Sequence, residues 1–111
     1  MVSNLANINQ LFTRMQAAGF DTTSPLKWCF YFTGTDKEKL RLVYEELKAN
    51  DHALESVEKA ENSEQWTLFT STHEALTSEE LHERNEVFNA LAASYGVESY
   101  DGWRVEKTTL F

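Results

Sequence analysis

The sequence predicts an α+β fold in which one helix precedes a β-α-β-β-α-β succession. Three observations carry that expectation. Three segments place apolar residues at helical spacing, and each meets a terminator. Two segments, over 26–32 and 65–71, alternate side chains as buried strands do. Two further extended segments, over 52–59 and 97–107, are charged, as strands at a sheet edge are.

The first helix is expected over 3–18, with Ser3 as its cap. Leu5, Ile8, Phe12 and Met15 make one apolar stripe, and Gly19 follows as a terminator. Asp21 to Pro25 reads as a turn, since proline pushes its neighbour toward extended geometry. In the first strand, Leu26, Trp28, Phe30 and Phe32 point one way and Lys27, Cys29 and Tyr31 the other. Neither face is strongly polar, which suits a central strand ended by Gly34. Thr35 with Glu38 has capping-box spacing and opens a second helix lined by Leu40, Val43, Tyr44 and Leu47. Asn50-Asp51 ends it. The charged segment 52–59 follows, then a hairpin connection at Glu61-Asn62-Ser63-Glu64. In the third strand Trp66, Leu68 and Thr70 share one face, and Thr67 and Phe69 the other. Thr77 with Glu80 repeats the capping spacing. That helix runs to about Tyr95, with Leu81, Phe88, Leu91 and Tyr95 inward, and Gly96 stops it.

A β-α-β-β-α-β order is the split βαβ arrangement of ferredoxin-like sandwiches. It places the first and third strands centrally, in the order 4-1-3-2. The sequence agrees independently, because those two strands are the apolar ones. Helices cover one face of such a sheet. The other is solvated, covered by the additional N-terminal helix, or used for binding.

Length and charge narrow the function. The 111 residues fit one domain over 1–111, and the 14 aromatic residues each bury roughly 150–250 Å² when enclosed, enough for a core without staples. Ten basic against 18 acidic residues give a net charge of -8. Such a surface repels phosphate, so no direct nucleic-acid partner is expected, and a basic protein partner suits it better. Cys29 is the one cysteine, so no internal disulfide is expected. The first ten residues lack the basic cluster and apolar run of a signal peptide, and 28–32 is too short to span a bilayer. The expected location is the cytoplasm, with no membrane partner.

The search for chemistry yields no catalytic residue. His52, His73 and His82 are scattered, without cysteine or carboxylate at ligand spacing, so no metal and no cofactor are expected. They read as exposed or locally hydrogen-bonded. Cys29 sits between Trp28 and Phe30, the opposite of the electropositive setting a reactive thiol needs. Glu45-Glu46 and Glu79-Glu80 are helix neighbours that point apart. Arg84 and Asn85 interrupt the apolar stripe of the third helix and read as a partly solvated flank or as a reach toward a partner. Tyr31, Trp66, Tyr100 and Trp103 exceed what one packed face needs. They are expected at a partner interface, where such residues are enriched, or in the structure if the N-terminal helix covers that face. Asp101-Gly102 reads as a turn or bulge with positive φ at Gly102.

With its leading helix, βαββαβ order, the helix ending Ala92-Ala93-Ser94-Tyr95-Gly96-Val97 and the run Tyr100-Asp101-Gly102-Trp103, the chain resembles the ribonuclease E inhibitor family, the RraB (regulator of ribonuclease activity B) proteins. The likeness spans about Leu5 to Lys107. It implies a ferredoxin-like fold and a non-enzymatic regulator that binds a basic RNA-processing nuclease and restrains RNA cleavage. It also implies that Tyr100, Asp101, Gly102 and Trp103 contact that partner, and the aromatic surplus adds Tyr31 and Trp66 to the expected contact. The family's best-known members carry a long acidic C-terminal tail, whereas this sequence ends Thr108-Thr109-Leu110-Phe111. Two other readings share parts of this physics: an immunity-type protein that neutralises a toxin nuclease, and a small ligand-binding ferredoxin-like domain with a pocket.

Overall fold

The computed structural model describes residues 1–106, so the Lys107 end of the expected last strand lies outside the described residues. The elements are α1 (Leu5–Ala17), β1 (Leu26–Gly34), α2 (Lys37–Lys48), β2 (Ala53–Lys59), β3 (Trp66–Glu74), α3 (Ser78–Ser94) and β4 (Ser99–Glu106). All strand pairs are antiparallel and the sheet order is β2-β3-β1-β4, the expected 4-1-3-2 arrangement. The aromatic β1 lies in the middle, and the charged β2 and β4 are the edges. This is a ferredoxin-like α+β sandwich with an additional N-terminal helix.

Local chemistry explains where the expected boundaries move. Asn4 rather than Ser3 caps α1, accepting from the Asn7 N–H at 3.1 Å. Ser3 is occupied elsewhere: its hydroxyl bonds His82 Nδ1 at 2.7 Å and takes the Asn85 amide at 3.3 Å, tying the N-terminus to α3. Asp36 rather than Thr35 caps α2, accepting from the Glu38 N–H. Thr35 instead donates its N–H and hydroxyl to the Glu98 carboxylate, at 3.0 and 2.7 Å. A carboxylate one residue closer to the helix outcompetes the hydroxyl as cap. At α3 the Thr77–Glu80 capping box forms in both directions. β3 runs three residues past the expected Ser71, because Thr72, His73 and Glu74 pair with Trp28, Lys27 and Leu26. Their polar side chains hid a strand whose partner supplies the apolar part.

One apolar cluster lies between the sheet and the helices. Ile8, Phe12 and Met15 of α1 join it beside Leu40 and Val43 of α2 and Leu81 and Phe88 of α3. Phe12 stacks on Trp28 with ring centroids 5.9 Å apart. α1 therefore packs on the same side as the other helices, which overturns the expectation that it could cover the opposite face.

β4 carries the one irregularity that matters for that face. Tyr31 pairs with Gly102 and Phe32 with Tyr100, so Asp101 is an extra residue at a bulge. Gly102 has φ 132, the positive φ expected from Asp101-Gly102. The bulge restores phase, so Tyr100 and Trp103 both turn toward the helices. A Cβ on Gly102 would meet only the Met1 side chain, Sδ at 3.7 Å and Cε at 4.0 Å, so the constraint is the backbone angle and not space. Gly102→Val should lower folding stability by about 1–3 kcal/mol in urea unfolding. An unchanged midpoint would show that the bulge relaxes at no cost.

Candidate partner-binding surfaces

The six residues expected at an interface divide between two faces. Tyr100 is buried at 1% exposure, against Phe32 and Phe88. Its hydroxyl donates to Asn85 Oδ1 at 2.6 Å, and burial drives the phenol pKa far up. Trp103 also turns inward, tilted over Trp28 at 5.6 Å and partly exposed. Trp66 packs at the edge of the core under the Lys37 ammonium, 4.7 Å from the ring centroid. Tyr31 and Gly102 belong to the opposite face. Asp101 is exposed at the β4 edge, where Ser99 Oγ donates to its carboxylate.

Of the expected partly solvated flank, Arg84 is partly exposed and Asn85 is not. Asn85 is fully buried as the acceptor for Tyr100, and Arg84 makes a two-pronged pair with Glu74 at 2.8 and 2.9 Å. A polar residue in a helical stripe is silent about its partner until the distant strand is placed.

No helix covers the second sheet face among the described residues. At its centre Tyr31 and Phe69 meet edge to face, centroids 5.0 Å apart. The Arg104 guanidinium lies 5.8 Å from the Tyr31 ring centroid and pairs with Glu106 at 3.0 Å. Lys27 bridges to Glu55 at 3.0 Å, and Ser71 donates to the same carboxylate at 2.6 Å. These two bonds, Ser71 first, hold the Glu55 carboxyl below its usual range. Cys29, between Lys27 and Tyr31, is only 2% exposed, a sheet-face residue as expected. The face is thus a half-buried aromatic pair inside a lattice of paired charges, open but organised. Such a surface binds flat protein features well, because its side chains are already held in place.

A second feature lies on the helix side. A cleft of about 510 Å³ opens between α2 and α3 over the end of β3, lined among others by His52, Glu74, Arg84 and Val87. His52 departs from the expectation of an exposed or locally hydrogen-bonded ring. Only 6% of it is exposed, its ring lies 5.6 Å from both Phe30 and Phe88, and its Nδ1 has no hydrogen-bond partner. Burial first, and then the Arg84 charge, lower its pKa from 6.5 to about 4. The neutral imidazole is therefore the folded form near neutrality. Protons bind the unfolded chain more readily between pH 6.5 and about 4, so stability falls as pH drops through that window. The loss should reach about 3 kcal/mol and be absent in His52→Phe, as read by urea unfolding from about pH 7 to about pH 4. Glu74, held low first by Arg84, adds a loss in the same direction only below its unfolded value of 4.5.

Among the described residues, no three of His, Cys, Asp and Glu converge as a metal site, and no helix is long and apolar enough to cross a membrane. The fold and its surfaces define an α+β sheet protein that backs one sheet face with three helices and presents the other. The chain belongs to the RraB family, whose description, Regulator of ribonuclease activity B, matches residues 6–105. That description makes the family one of regulators of ribonuclease activity. No curated protein matches the sequence.

Proposed function

We propose that this chain is a non-catalytic regulator that binds a ribonuclease of the ribonuclease E type in the cytoplasm and slows its cleavage of RNA. The observation that carries the reading is the family match over nearly the whole chain. The net charge of -8 supports a basic protein partner over direct contact with RNA. The contact surface in this reading is the helix-free sheet face with the adjoining β4 edge, centred on Tyr31 and Asp101. Trp103 borders it. Tyr100 and Trp66 support it from the core side, and Gly102 sets the bulge that exposes Asp101.

The test is an RNA-cleavage assay with purified ribonuclease E, labelled RNA and increasing amounts of the chain. The expected result is slowing that saturates with the chain, and no cleavage by the chain without the enzyme. Cleavage at an unchanged rate would count against the reading. Tyr31→Ala should keep the fold and weaken binding by about 2 kcal/mol, since a partly exposed aromatic at the centre of a contact carries a large share of its energy. Equal affinity of Tyr31→Ala and the native chain would move the contact off this face.

A further inference from the structure

The cleft between α2 and α3 has features that neither the fold nor the sheet face requires. Its wall is carbon: Leu47, Leu91 and Val87 line it, and Val87 is left 60% exposed. Its charge is acidic. Glu46, Asp51 and Glu74 line it against one cation, Arg84, which both Glu74 oxygens already satisfy. Glu46 and Asp51 are therefore left uncompensated. At its base stands His52, nine-tenths buried, with a ring nitrogen that nothing in the described chain bonds. A buried polar atom without a partner is uncommon, and the residue that carries this one lines the cleft.

We infer that this cleft is a socket for a basic side chain, arginine or lysine, carried by a protein partner. The stem lies along Leu47, Val87 and Leu91, as long basic side chains lie on apolar surface. The cationic head sits toward Glu46 and Asp51, where the uncompensated charge is. An anion fits less well, because the Arg84 fork is already filled by Glu74 and the remaining lining repels it. The socket lies on the helix side of the sheet, so it adds a second contact to the one proposed above. It rests on that proposal only for the identity of the partner.

The test has two arms. In the first, amide and imidazole nitrogen NMR of the intact chain follows titration with blocked Gly-Arg-Gly peptide, its citrulline counterpart and blocked Gly-Glu-Gly. The arginine peptide should give saturable shifts at Asp51, His52 and Val87, and the citrulline peptide should not. Shifts centred elsewhere, equal shifts with citrulline, or a cleft that answers to the glutamate peptide would overturn the socket. Glu46→Gln with Asp51→Asn should weaken arginine-peptide binding about tenfold. These changes spare the fold. A glutamine side chain in place of Glu46 can still accept the Tyr95 hydroxyl, and asparagine tolerates the left-handed φ of 66 found at Asp51. Glu58→Gln with Glu61→Gln removes equal charge at the other end of β2 and should leave binding within about twofold. An equal loss in both pairs would mean diffuse attraction and no socket. The second arm measures binding of the same variants to purified ribonuclease E. Failure of the native chain to bind the enzyme, with arginine peptide still seated in the cleft, refutes the proposed function and leaves the socket standing. Native-like binding by the Glu46→Gln, Asp51→Asn chain refutes the socket and leaves the function standing.

Discussion

Trp28→Ala should cost about 4 kcal/mol of folding stability, the largest loss expected for any single substitution considered for this chain. Trp28 is fully buried in the central strand. Phe12 of α1 stacks on one side of it and Trp103 of β4 leans on the other, at 5.9 and 5.6 Å. Its indole N–H donates to the Glu74 carbonyl at 2.9 Å, at the far end of β3. One side chain therefore joins the N-terminal helix to three strands. Removing it leaves a cavity bounded by several elements, which cannot all collapse inward. A domain of this size has a total stability of about 5–15 kcal/mol, so the variant should be near the threshold of folding at about 37 °C. Urea unfolding in the cold, at about 15 °C where stability is near its maximum, gives the number. A loss under about 1 kcal/mol would mean that α1 is only loosely attached to the sheet. Trp28→Phe, which keeps most of the stacking, should recover more than half.

Asn85→Ala should cost about 3 kcal/mol. The amide is buried in a helix that otherwise faces the core with apolar groups, and it accepts the Tyr100 hydroxyl at 2.6 Å. Without it the phenol is left in an apolar setting with no acceptor, and an unmade buried hydrogen bond costs more than a made one contributes. Tyr100→Phe removes the donor and should cost about 1–2 kcal/mol. The double variant Asn85→Ala, Tyr100→Phe should be less destabilised than the sum of the two, by about 1 kcal/mol or more, because the penalty for the orphaned hydroxyl disappears with it. Strict additivity would show that the pair is not coupled. The same cycle bears on Tyr100 as an interface residue, since a side chain locked in the core should affect partner binding only through the fold.

Strand order was legible because burial is written into composition: a strand with apolar residues on both faces, such as Leu26 to Phe32, has nowhere to go but the middle. Asp101-Gly102 also announced its bulge, because few residues other than glycine accept φ 132. The helix starts were less legible. Thr35 has the spacing of a cap, but Asp36 takes the role once Glu98, 63 residues away, claims the Thr35 hydroxyl. The aromatic surplus was legible as a number and not as a place. Alternation puts Tyr100 and Trp103 on opposite faces, and the bulge at Asp101 puts both on one. The partner of Asn85, the pairing of Arg84 with Glu74 and the burial of His52 each depend on a contact between distant segments. No local pattern encodes those, which is why the cleft was invisible in the sequence.

In the proposed function the chain holds a ribonuclease through its helix-free sheet face. Its most direct test is the affinity of purified chain for purified ribonuclease E, measured by calorimetry in low and high salt for the native protein and for Asp101→Asn. The expected result is a saturable complex that weakens with salt, and weaker binding by Asp101→Asn with no change in its melting temperature. No complex at any salt concentration, or one that Asp101→Asn and Tyr31→Ala both leave untouched, would contradict it.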